Sequence, residues 1–122
     1  MRVLVCGGRN YCDQDYIWNT LTALDVSHGP FTCLIHGAAT GADTEAMIWA
    51  QTVKGVKHAP FVAEWVKYGK AAGAMRNQRM LREGKPDLVV AFPGGIGTAN
   101  MVRIAKAAGV EVVIIAPRGT SR

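Results

Sequence analysis

Five short apolar runs punctuate the chain: RVLVC (2–6), FTCLIH (31–36), VKHAPF (56–61), DLVVAF (87–92) and EVVIIA (111–116). They are rich in Val and Ile and lack a strict apolar–polar alternation, the pattern of strands buried on both faces of a parallel sheet. Between the runs the apolar spacing becomes helical. Ile17, Leu21 and Leu24 fall at i, i+4 and i+7 within 13–26, and Ala42, Ala46, Trp49, Ala50 and Val53 form one stripe within 41–53. Met101, Ile104, Ala105 and Ala108 form another within 97–109, closed by Gly109 as a C-terminal cap. A helix is also expected over 69–83, with Gly73 as an interruption, and Pro60 weakens the third strand. Strand alternating with helix predicts an α/β fold. The expectation is a Rossmann-like three-layer sandwich with a five-stranded parallel sheet and right-handed crossovers.

The 122 residues fit one domain spanning the whole chain, with 118–122 expected to fray. A hydrophobic content of 49% supplies a core, and charged residues at 19% are too few for disorder. No apolar run reaches the roughly 18 residues that span a membrane, and MRVLVCGG has no cleavable-leader pattern, so the chain reads as cytosolic. Cys6, Cys12 and Cys33 match neither a disulfide framework nor a zinc spacing, and Cys6 and Cys33 read as small buried residues. No metal and no resident cofactor are expected.

The net charge of +5 changes the picture once it is located. Lys67, Lys70, Arg76, Arg79, Arg82 and Lys85 face only Glu83 within their segment, and the remaining eight basic and eight acidic residues balance. One helix-sized segment therefore carries the whole excess. Such a run is ordinarily a solvated face, but it also suits phosphate or nucleic acid.

Three strands run into glycine-bearing turns: Gly7-Gly8-Arg9, the stretch from His36 and Gly37 to Asp43, and Pro93-Gly94-Gly95-Ile96-Gly97-Thr98. Each follows a strand and precedes a helix, so all three belong on one edge of a parallel sheet. Glycine brings backbone amides close to a ligand, and the helix that follows offers unpaired N–H groups to an anion. Any strand-to-helix turn tolerates glycine; three on one edge beside the charge excess point to a phosphate-bearing ligand. Thr98 is a candidate N-cap or phosphate contact, and Asp43 a candidate N-cap. Arg76 and Arg79, three apart, should share a helix face and present two guanidinium forks, with Asn77 beside them. The turn after DLVVAF lacks the Gly-Lys-Ser/Thr of a Walker loop and the third glycine of a dinucleotide fingerprint. The second strand ends at His36 rather than at an acid, so nicotinamide chemistry is not expected.

Read together and in order, GGRNYCD, HGAATGAD, W…YGKAAGAMRNQRML and PDLVVAFPGGIGTANMV resemble the SLOG superfamily. These Rossmann-like domains are named for DNA-processing protein A and the Lonely Guy phosphoribohydrolases. The chain looks most like the small single-domain YspA-like, YpsA-related branch. The resemblance implies a nucleotide or nucleotide-derived ligand of ADP-ribose or cyclic-nucleotide type, held for sensing or sequestration, and a homodimer or higher homo-oligomer. The Lonely Guy enzymes carry Pro-Gly-Gly-x-Gly-Thr-x-x-Glu. Pro93, Gly94, Gly95, Gly97 and Thr98 agree with it, but Met101 stands where the catalytic glutamate belongs. A thioether is neither a base nor a stabiliser of an oxocarbenium ion, and Met101 also falls on the core stripe.

The resemblance thus implies binding rather than that hydrolysis. Gly7, Gly8 and the Gly94–Thr98 turn would approach phosphates, Arg9, Arg76 and Arg79 neutralise them, and Asp43 and Asn77 orient ribose or base. The alternative is a phosphoribohydrolase or related N-glycosidase that uses Asp43, Glu45 or His36 in place of the absent glutamate. A second alternative is single-stranded nucleic-acid binding, because RNQRML resembles the Arg-Asn-Arg segment of the DNA-processing relatives. No row of aromatics supports it, and Tyr11, Trp65 and Tyr68 are candidates to stack on a single base.

Overall fold

The computed structural model describes residues 1–118, so the expected fraying of 118–122 falls almost wholly outside the described residues. Strands β1 (Arg2–Cys6), β2 (Cys33–His36), β3 (Lys57–Pro60), β4 (Leu88–Ala91) and β5 (Glu111–Ile114) form one sheet in the order β3-β2-β1-β4-β5. Every pairing is parallel; Leu4 sits opposite Ile35 on one side and Val89 on the other. Pro60 ends β3, an edge strand, where its missing N–H removes no ladder bond.

The missing alternation in the strands has a direct cause. Val3 and Val5 of β1, Leu34 of β2 and Leu88 and Val90 of β4 point to one face. They pack on Ile17, Leu21, Ala46 and Trp49 from α1 (Gln14–His28) and α2 (Ala42–Trp49). Leu4, Cys6, Cys33, Ile35, Val89 and Ala91 point to the other face. There they meet Met80 of α4 (Ala72–Gly84) and Met101, Ile104 and Ala105 of α5 (Ile96–Ala107). Period-2 side chains thus feed two cores, and neither face of the central strands is left for polar residues. Burying each such Val, Leu or Ile contributes about 1.5–3 kcal/mol.

The helices follow their sequence signals, with local exceptions. Asp13 caps α1 by accepting the Tyr16 N–H at 3.4 Å. The stripe over 41–53 continues past α2 as a π-helical turn (Ala50–Lys54) that ends on left-handed Gly55. The segment beginning at Gly69 opens as a 3-10 turn (Gly69–Ala71) before α4, and Gly73 lies inside α4 without breaking it. A four-residue helix, α3 (Trp65–Tyr68), has no counterpart among the expected elements. Among the described residues no helix is long and apolar enough to cross a membrane.

The chain winds outward from β1 to β3, then crosses back to β4 on the other side of β1. The carboxyl ends of β1 and β4 therefore flank the point where strand order reverses, where such sheets open a crevice.

Candidate functional site

The first and third glycine turns meet at that reversal. Gly8 N–H donates to Pro93 O at 2.8 Å, and its own carbonyl accepts from Tyr11 N–H and Ala42 N–H at 3.2 Å each. Gly94 has no room for a side chain: a Cβ there would strike the Thr98 hydroxyl and lie 2.7 Å from the Gly8 nitrogen. The Gly8 amide is thus consumed in joining the two turns. That corrects the expectation that it would face a phosphate.

The second turn is likewise filled, by the protein's own carboxylate. Asp43 Oδ2 accepts from Gly37 N–H at 3.0 Å and from Ala39 N–H at 3.3 Å. Asp43 is not the cap of α2, which is Gly41. It lies in the first helical turn and reaches back to tie the preceding loop. Its Oδ1 has no protein partner among the described residues. Asp43 is 5% exposed, and burial pushes its carboxyl up to about 6 against the pull of the two amides and of Arg76.

Arg76 reaches across from α4. Its Nη1 donates to Gly37 O at 2.7 Å and its Nε to Asn77 Oδ1 at 3.0 Å, and Nη2 has no partner among the described residues. Gly37 makes this possible, because a Cβ at that position would collide with the guanidinium. Asn77 is 3% exposed, and its amide donates to Gly97 O at 3.1 Å and Asn100 Oδ1 at 2.9 Å. It therefore positions Arg76 and the start of α5, with little left to offer a base or ribose.

Helix α5 carries unoccupied donors in its first turn. Its cap residue is Gly95, no side chain caps it, and its first turn contains no acid. The N–H groups of Ile96, Gly97 and Thr98 have no intrahelical acceptor, and the helix dipole places about half a positive charge there. Thr98 is inside the helix rather than its cap. The turn borders a cavity of about 410 Å³, whose floor includes Cys6 and Met80 and whose walls carry Arg9, Asp43, Trp65 and Arg76. Burial and the nearby Asp43 push the Cys6 thiol up to about 12, so it is a neutral part of the floor. A second cavity of about 320 Å³ adjoins the first, sharing Arg9, Ala39, Trp65 and Arg76.

Several expected site residues lie elsewhere. Glu45 accepts from Gln14 Nε2 at 3.0 Å, on the α1 side, and borders neither cavity. His36 Nδ1 accepts the Ala38 N–H at 3.0 Å, so its proton sits on Nε2, which is 2.8 Å from His58 Nδ1. Burial and the adjacent His58 hold the imidazole down at about 4. Both nitrogens are engaged, which removes His36 as acid or base. Arg79 shares a helix face with Arg76 but does not enter the cleft with it. Its guanidinium donates to Val62 O at 3.0 Å and approaches Glu64 at 3.8 Å, an acid just outside the basic segment. Of that segment's cations only Arg76 borders the two cavities. Tyr11 lies against Phe92, with ring centres 6.0 Å apart, and Trp65 alone of the three candidate aromatics borders the cleft.

The YspA, cpYpsA-related SLOG family model (YAcAr) matches residues 1–68. The chain belongs to this SLOG family. Over 119 residues it is also 37% identical to the Gene 61 protein of Mycobacterium phage D29, covering 92% of this chain and 94% of that protein. The SLOG match contains the first two glycine turns and Trp65, and the phage relative extends the likeness over almost the whole chain. SLOG membership gives the chain a Rossmann-like domain of nucleotide-related function. Met101, at the glutamate position of the hydrolytic branch, is fully buried in the core beneath α5.

Proposed function

We propose that the cleft binds a nucleotide or nucleotide-derived ligand, for sensing or sequestration, with its phosphate at the start of α5. The uncapped first turn of α5 carries this reading. Its three unpaired amides and positive dipole end open onto a cavity that Arg76 and Arg9 share. Asp43 Oδ1, an acceptor only, suits a ribose hydroxyl rather than a phosphate oxygen. Of the three glycine turns, the one opening α5 offers the most open amides, since Gly8 donates to Pro93 and Gly37 and Ala39 donate to Asp43.

Calorimetric titration with mono-, di- and cyclic nucleotides tests the proposal. At least one should bind in the micromolar range, and Arg76→Ala should weaken it by about 1.5–3 kcal/mol, the worth of a charge-assisted hydrogen bond. The absence of binding across that panel would sink the idea.

A second reading is favoured by one observation: Asp43 is a buried carboxylate with a raised pKa and one oxygen free at the cleft. It could serve an N-glycosidase in place of the absent glutamate. Release of free base from nucleoside monophosphates or NAD, lost in Asp43→Asn, would replace the binding reading with this one.

A further inference from the structure

We propose that the second cavity is a nucleobase subsite whose platform is the indole of Trp65. This rests on the reading that the adjoining cavity holds a nucleotide phosphate. The two lobes differ in chemistry. The first has the open amides of α5 and the Asp43 carboxylate. The second sets an apolar wall of Ala38, Ala39, Val62, Ala63 and Trp65 beside Thr40 and the two arginines it shares with the first, with no acid among its lining residues. Its backbone is not a phosphate nest, because the Gly37 and Ala39 amides are bound to Asp43 and the Ala38 amide to His36. A flat ring fits the apolar wall and the arginine–indole pair of such a lobe, and no open backbone amides are shown there for a second phosphate.

Trp65 is arranged to receive that ring. It is 45% exposed, whereas Trp49 is 1% exposed in the core, so burial on folding does not account for it. The guanidinium carbon of Arg9 lies 5.2 Å from the centre of its ring, and both residues border both lobes. The indole leans on Gly73 of α4, where an added Cβ would come within 3.2 Å of it. Glycine inside a helix costs about 1 kcal/mol relative to alanine, and here it admits the indole. A guanidinium over one face of an exposed indole forms a π stack that a base can extend, on the guanidinium plane or on the indole's other face. The lobes share Arg9, Ala39 and Arg76, so a ligand anchored at α5 reaches the second lobe across the Asp43–Arg76 wall.

The test compares the tightest-binding of AMP, GMP, CMP and UMP with ribose 5-phosphate, on the wild type and on Trp65→Ala and Trp65→Phe. Trp65→Ala should weaken the nucleotide about 5- to 150-fold, the range of one base–aromatic stack, and leave ribose 5-phosphate unchanged. Trp65→Phe should retain most of the affinity. Nucleotide should quench tryptophan fluorescence in the wild type, and the quench should vanish in Trp65→Phe. A nucleotide that binds the wild type and Trp65→Ala equally overturns the subsite and leaves the phosphate reading standing. If no nucleotide and no ribose 5-phosphate binds the wild type, both fall together. A circular-dichroism melt of each variant separates loss of stacking from loss of fold.

Discussion

Replacing Asp43 with asparagine should stabilise the protein at neutral pH while weakening its ligand. The carboxyl is 5% exposed and its pKa rises from an ordinary 3.8 to about 6 in the folded chain. Between those values the native state holds a proton that the unfolded chain has released, so stability falls as pH rises through the window. At about 1.4 kcal/mol per pKa unit the loss totals roughly 3 kcal/mol above pH 6. Asparagine keeps an oxygen for the Gly37 and Ala39 amides but cannot ionise. His36 tilts the same window the other way. Its pKa is lowered from 6.5 to about 4, so it contributes stability that is present above 6.5 and lost as pH falls toward 4. In the wild type the two slopes largely cancel, and in Asp43→Asn only the His36 slope remains. Urea unfolding of both proteins from about pH 4 to pH 7.5 reads this directly. The stability difference between them should grow by roughly 2.5 kcal/mol across the range, the rest having been lost below pH 4. A constant offset would refute the buried-carboxylate argument, because every other titrating group is common to both.

Other consequences follow from particular contacts. Gly37→Ala places a methyl where the Arg76 guanidinium sits, and should reproduce the loss of affinity of Arg76→Ala by titration while the circular-dichroism spectrum stays native. Met101→Glu restores the residue of the hydrolytic relatives but puts a carboxylate at a fully buried core position. It should cost several kcal/mol in urea unfolding and release no free base from nucleoside monophosphates.

How much of this was legible in the sequence depends on what each residue's role requires. The sheet and its helices were legible because doubly buried strands and helical stripes leave periodic marks, down to Met101 on the core side of α5. Elements with little burial left none. Every residue of 64–71 is exposed, so α3 and the turn after it carry no hydrophobic stripe, and the helix that brings Trp65 to the cleft went unseen. Arg76 and Arg79 looked equivalent because spacing reports angle around a helix axis but not the neighbours met there. Glu64, Val62 and Gly37 decided that one arginine braces a loop and the other enters the cleft.

The glycine turns mark the deeper limit. A glycine between strand and helix shows that backbone comes close to something, and sequence cannot name the something. At Gly8 it is Pro93 O, at Gly37 the guanidinium of Arg76, and at Gly94 the Thr98 hydroxyl. Gly95 and Gly97 differ, for a Cβ built on either meets no atom within 4 Å. Packing does not require glycine at those two positions, and neither has a positive φ. What remains is access: a side chain on either would stand at the mouth of the cleft beside the unpaired amides of Ile96, Gly97 and Thr98. The bulk of the turn is therefore minimised where an anion would approach, which is the physical reason to place the phosphate at α5 rather than at the other two turns.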